Sequence, residues 1–138
     1  MAKDIIHDAI KQALINDGWD IIADPYHLKY DASNSWLVDL AAEKLLLVTR
    51  DKTRIFVEVK TFGGSSFTKE FQNALGQYQL YAGVMEMLGE TNELFLAISD
   101  SVYERFFANP VYQRLVKRYN VLLLVVDVEK EQVVKWIR

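Results

Sequence analysis

The chain has 138 residues, 51% hydrophobic and 25% charged, with 16 Lys plus Arg against 19 Asp plus Glu, two His and no Cys. That length and mix predict one globular domain over residues 1–138 and exclude a mainly disordered chain. The lack of Cys excludes a disulfide framework, a thiolate nucleophile and Cys-based zinc or iron–sulfur sites. A net charge of −3 argues against coating nucleic acid through bulk positive charge. The opening Met1-Ala2-Lys3-Asp4, with no run of ~18–20 apolar residues anywhere, predicts a cytoplasmic protein with no membrane partner.

Ile6, Ala9, Ile10, Ala13 and Leu14 recur at helical spacing, and Asn16-Asp17-Gly18 supplies a stop, so residues 4–16 are predicted to form a first helix. Trp19 to Ala23 reads as a short strand, interrupted at Asp24-Pro25 and continued by Tyr26 to Tyr30. After the polar turn cluster 31–35, two β-rich runs, Trp36 to Val48 and Ile55 to Lys60, flank a polar loop as an antiparallel hairpin. Phe67, Phe71, Ala74, Leu75, Tyr78, Ala82 and Met85 mark a long second helix ending near Gly89. Leu94 to Ile98 is a strand, Pro110 to Tyr119 a third helix, and Val121 to Val126 a wholly apolar strand suited to burial on both faces. Val133 to Ile137 is expected at a sheet edge. The order α-β-β-β-α-β-α-β-β predicts an α/β domain, a mixed sheet flanked by helices on both faces.

Charges stand where this pattern asks for core. Asp39 is enclosed by Trp36-Leu37-Val38 and Leu40-Ala41-Ala42, and Glu58 and Lys60 alternate with Phe56, Val57 and Val59. Period-two geometry puts Glu58 and Lys60 on one face and Val57 and Val59 on the other. If the two runs are adjacent strands, Asp39 can lie beside Glu58, and buried carboxylates need a cation. Hard oxygen ligands suit Mg²⁺ or Mn²⁺, which can polarise a phosphodiester and acidify a bound water, with Lys60 stabilising developing charge. The residues alone equally allow Glu58 and Lys60 to face solvent and Asp39 to cap a turn or pair with an arginine.

An acid on one strand followed by E-x-K on the next, between an initial helix and a long one, resembles the PD-(D/E)xK nuclease superfamily, with Val38 where a proline often precedes the first acid. More closely, Ala2-Lys3-Asp4-Ile5-Ile6-His7-Asp8-Ala9, Asp17-Gly18-Trp19, Val38-Asp39-Leu40 and Val57-Glu58-Val59-Lys60-Thr61-Phe62 resemble the XisH family of excision controlling factors over essentially the whole chain. That resemblance implies a restriction-endonuclease-like fold and a role in programmed excision of a DNA element, alongside a site-specific recombinase and a companion protein, XisI. The superfamily pattern, and not the XisH resemblance, implies Asp39 and Glu58 as metal ligands, the Val59 carbonyl completing the shell, and Lys60 as catalytic lysine. Cutting both strands at once with one site per chain would require a homodimer. A second reading keeps the fold but not the chemistry, as a DNA- or protein-binding module directing the recombinase.

Related nucleases project a polar residue from the first helix toward the metal, and His7, at the border of the Ile10 and Leu14 stripe, is so placed; it can equally hydrogen-bond a carbonyl. Gln77 and Tyr81 resemble the Q-x-x-x-Y element of RecB-like nucleases and equally suit core-edge packing, with Glu70 on the same side of the helix. Gly63-Gly64-Ser65-Ser66 before the second helix either admits a phosphate or is a plain connection with a Ser cap; it lacks the nucleotide-loop pattern. Residues 44–60 carry a net charge of +3 and residues 105–118 a net +4, against −5 over residues 86–104. Those basic stretches offer phosphate contacts to DNA or simply solvated faces.

Overall fold

In the computed structural model, which describes residues 3–38, 40–45 and 52–138, the first apolar stripe folds as α1 (Lys3–Asn16) and buries Ile6, Ala9, Ile10, Ala13 and Leu14. Gly18 ends the helix at φ +93°, a conformation open to glycine, and lets the Trp19 N–H donate to the Leu14 carbonyl at 3.0 Å. The chain continues as β1 (Asp20–Ala23), β2 (Tyr26–Lys29), β3 (Ser35–Val38), β4 (Leu40–Leu45) and β5 (Lys52–Val59). Then come α2 (Phe67–Met87), β6 (Glu93–Ser99), α3 (Asp100–Val102) with a π-helical turn (Tyr103–Phe107), α4 (Pro110–Arg118), β7 (Leu122–Asp127) and β8 (Gln132–Ile137). No helix among the described residues is long and apolar enough to cross a membrane.

The main sheet runs β1-β4-β5-β6-β7-β8; β5, β6 and β7 are parallel and the outer pairs antiparallel, which is the mixed sheet expected. The β4–β5 hairpin pairs Leu40↔Val57 through Leu45↔Lys52, and β8 is an edge strand as its pattern predicted. Two differences stand out. Tyr26 onward does not continue β1: Pro25 cannot donate to a ladder, and β2 pairs with β3 in a separate two-stranded sheet. The Asp31 carboxylate closes that hairpin by accepting from the Ser33 and Asn34 N–H groups, each at 2.9 Å. The second difference is the helical segment after β6. The Ser99 hydroxyl caps α3 by accepting from the Val102 N–H at 3.2 Å, and the Ala108 N–H donates to the Tyr103 carbonyl at 2.8 Å, a five-residue step that turns Tyr103 and Phe107 inward.

Side-chain alternation divides the core into two halves. Ile55, Val57 and Val59 of β5 face α1 together with Phe95, Leu124 and Val126, whereas Phe56 faces α2 together with Leu96, Leu123 and Val125. β7 is therefore apolar on both faces because both faces are covered. Tyr78 ties α2 to the sheet: its hydroxyl donates to the Leu94 carbonyl at 2.6 Å and accepts from the Leu122 N–H at 3.2 Å, and burial pushes its pKa up. Tyr78→Phe removes both bonds and is expected to lower stability by about 1–2 kcal/mol, read as a lower urea midpoint at unchanged slope.

Candidate functional site

The parallel ladder of β5 with β6 extends one residue past the strand, where the Lys60 N–H donates to the Ala97 carbonyl at 3.1 Å. That fixes the backbone at the end of the β5 segment Glu58-Val59-Lys60 and sends Glu58 and Lys60 to the α2 face, one and two steps beyond Phe56 in the alternation. Glu58 is only 5% exposed, a carboxylate set into an apolar strand. Its Oε1 lies 3.6 Å from the Lys60 Nζ, which also donates to the Gln77 Oε1 on α2. The Lys60 side chain keeps 27% of its surface exposed, so the ammonium sits at a groove mouth while the carboxylate lies beneath it. Thr61, Glu70 and Asn73 continue that groove, which encloses about 240 Å³.

The structure thus joins Glu58, Lys60 and Gln77. Tyr81, one turn beyond Gln77, is buried in the α2-side core, and the Val59 side chain lies in the α1-side core. Asp39 lies outside the described residues, and among those described no three His, Cys, Asp or Glu side chains gather as a metal site. The His7 Nε2–H donates to the Asp24 Oδ1 at 2.8 Å, and the Lys11 Nζ donates to the other oxygen at 3.0 Å, joining α1 to the turn after β1. Partial burial pushes the Asp24 carboxyl pKa up, but the bonds and charges of Lys11 and His7 outweigh it and hold the pKa below the ordinary value. The stability this adds is present above the unfolded carboxyl pKa and is lost as pH falls through the lower folded one. Asp24→Asn is expected to cost up to about 1 kcal/mol at neutral pH and to flatten the acid side of a stability–pH curve.

The glycine loop serves a neighbour. A side chain on Gly64 would meet the Glu70 carboxylate, the far end of a flexible side chain, so the loop passes close to that acid and a larger residue there would push it aside. Ser66 is the cap of α2, its hydroxyl accepting from the Lys69 N–H at 3.3 Å, as a Ser-capped connection requires. The Glu70 Oε2 is buried with no hydrogen-bond partner among the described residues. Sequence spacing put Glu70 on the correct side of α2 but could not reveal its packing against Gly64, which depends on the path of the loop.

An acid on an inner strand of a mixed sheet and a lysine one residue past its end, facing a long helix through a glutamine, define an α/β protein with a polar groove at the end of its parallel strands. A family model described as XisH protein matches residues 1–134. An XisH family protein from Nostoc punctiforme PCC 73102 has a solved structure similar to this one, with 33% identity and a TM-score of 0.83 over 98% of this chain and 100% of that one. An FdxN element excision controlling factor protein from Anabaena variabilis is likewise 33% identical, with a TM-score of 0.84 over 99% of this chain and 100% of that one. No curated protein shows a significant match. The chain belongs to the XisH family.

Proposed function

We propose that the chain acts on DNA in the programmed excision of a DNA element, as a metal-dependent nuclease of the PD-(D/E)xK type. The observation that carries this reading is the Glu58–Lys60–Gln77 arrangement. A lysine ammonium is held at the mouth of a polar groove between a buried strand carboxylate and a helix amide. A lysine needed only for solubility has no reason to be oriented from two sides. The family membership, and the FdxN element excision controlling factor among the similar structures, support the DNA-excision part of the reading.

The donor chemistry fits a hard cation: Glu58, with Asp39 and the Val59 carbonyl, would hold Mg²⁺ or Mn²⁺. When bound, such an ion polarises a phosphodiester and makes a coordinated water more acidic. Glu58, kept from solvent, presents its charge in one direction. Lys60 stabilises negative charge developing on the scissile phosphate, and Gln77 fixes the angle of its ammonium. XisI, a site-specific recombinase and a second copy of the chain are the partners of the proposed reaction. Mn²⁺ titration by calorimetry tests the assignment. One ion per chain is expected for the wild type, with Glu58→Gln weakening the affinity at least about tenfold; equal affinity in both proteins would reject it.

A further inference from the structure

A second and larger cavity lies away from the Lys60 groove, between the π-helical turn, α4 and the strands β7 and β8, and encloses about 540 Å³. Its floor is apolar: Tyr103, Phe107, Val116 and Leu123 are each at most 9% exposed and belong to the α2-side core. Cations stand at its rim. Lys117 comes from the last turn of α4 and Lys135 from the edge strand, whose Nζ stands 3.9 Å from the centroid of the Tyr103 ring. Arg138 also lines the cavity, but its guanidinium is held by the Glu93 carboxylate at 3.1 Å. No acid lines this cavity, and Lys117 and Lys135 have no carboxylate partner among the described residues.

The volume falls in the roughly 300–1,000 Å³ range of small-ligand sites, and the charge pattern selects the ligand. An apolar floor gains nothing from a phosphodiester backbone, which is contacted through exposed cations and amides. A wholly apolar ligand would leave the two ammonium groups unused. We propose that this cavity binds an amphiphilic organic anion, a medium-chain aliphatic or aromatic monocarboxylate. Its apolar body lies against the accessible edges of Tyr103, Val116 and Ile137, with Phe107 and Leu123 beneath them, and its carboxylate is shared by Lys117 and Lys135. The cation above Tyr103 serves both ends of such a ligand, since the ring supplies apolar surface and its electron-rich face helps hold the ammonium in place.

The test uses the full ¹⁵N-labelled chain titrated with decanoate, and with decanol as a neutral analogue of the same length. Saturable amide shifts are expected to centre on residues 103–107, 113–123 and 135–138, with decanol at least about tenfold weaker. Lys117→Ala with Lys135→Ala is expected to weaken decanoate about tenfold or more, and Val116→Trp, which fills the cavity, to abolish binding. Both lysines are on the rim, so the double variant still decides the matter if Val116→Trp does not fold. Absence of saturable shifts at these residues overturns the proposal, as does equal affinity for decanol. Binding of an acidic apolar peptide where decanoate fails would overturn it in favour of a protein-docking groove.

Discussion

Lys60→Ala is expected to reduce metal-dependent DNA cleavage by about 10²–10³-fold while changing DNA affinity by less than about threefold. The asymmetry follows from where the ammonium sits. It lies 3.6 Å from a buried carboxylate and is oriented by the Gln77 amide, so in the ground state its charge is largely answered within the protein. In the proposed reaction it would contribute most when negative charge grows at the scissile phosphate, which is the condition for an effect on turnover without an equal effect on binding. Gln77→Ala leaves both the lysine and the carboxylate in place and removes only the brace, so a loss nearer tenfold is expected. Arginine at position 60 keeps the charge but changes its length and geometry, and is expected to rescue little. A plasmid-nicking series under single-turnover conditions, with filter binding in parallel, separates these outcomes. Equal losses of affinity and rate would make Lys60 a plain phosphate contact.

Phe107→Ala is expected to cost about 3–5 kcal/mol, against a total of about 5–15 kcal/mol for an ordinary domain. Phe107 is 1% exposed and meets Phe62 and Phe67 edge-on, each with ring centroids 5.4 Å apart, and Phe71 at 6.0 Å. Those rings come from the loop after β5 and from α2, so truncation opens a cavity where the π-helical turn, the loop and the helix meet. Phe62 is two residues beyond Lys60 and is held at a φ of +51°, a strained value for a bulky residue that the surrounding rings must maintain. Loss of Phe107 should therefore loosen the Lys60 groove as well as the core. Urea unfolding measures the first effect. Val116→Ala, on the other side of the turn, offers a comparison, with a smaller deletion and a smaller expected loss.

Much of this arrangement was legible in the sequence because periodicity reports which face is buried. The stripes of α1 and α2, the continuous apolar run of β7 and the weaker alternation of β8 each announced their surroundings. The alternation in β5 separated Glu58 and Lys60 from Val57 and Val59, and the structure keeps that separation. What stayed hidden depended on partners distant in sequence. The departure of β2 and β3 into their own sheet is a matter of pairing, and short strands carry little pairing information. The π-helical turn hid in Val102, Tyr103, Phe106 and Phe107, adjacent apolar pairs that fit neither period two nor one clean helical stripe. Gln77 was placed near the site by its likeness to a nuclease element, but that it would brace Lys60 required the packing of α2 across β5. The Asp24 partner of His7 comes from the Asp24-Pro25 break that the sequence marks, but the approach of that break to α1 depends on the fold of β1 against the helix.

Glu58→Gln separates a chemical centre at Glu58 and Lys60 from a merely buried charge pair, because the amide keeps the shape of the side chain while removing its negative charge. Cleavage of supercoiled DNA in Mg²⁺ and in Mn²⁺ should be measured for the wild type and this variant, beside their urea midpoints. Metal-dependent cleavage by the wild type and a loss of at least about 10²-fold in the variant are expected. The unfolding midpoint is expected to be unchanged or raised, since a buried carboxylate is costly to desolvate. Undiminished metal-dependent cleavage by Glu58→Gln would contradict a chemical centre there, and so would a wild type that cuts no DNA yet supports excision equally well with glutamate or glutamine at position 58.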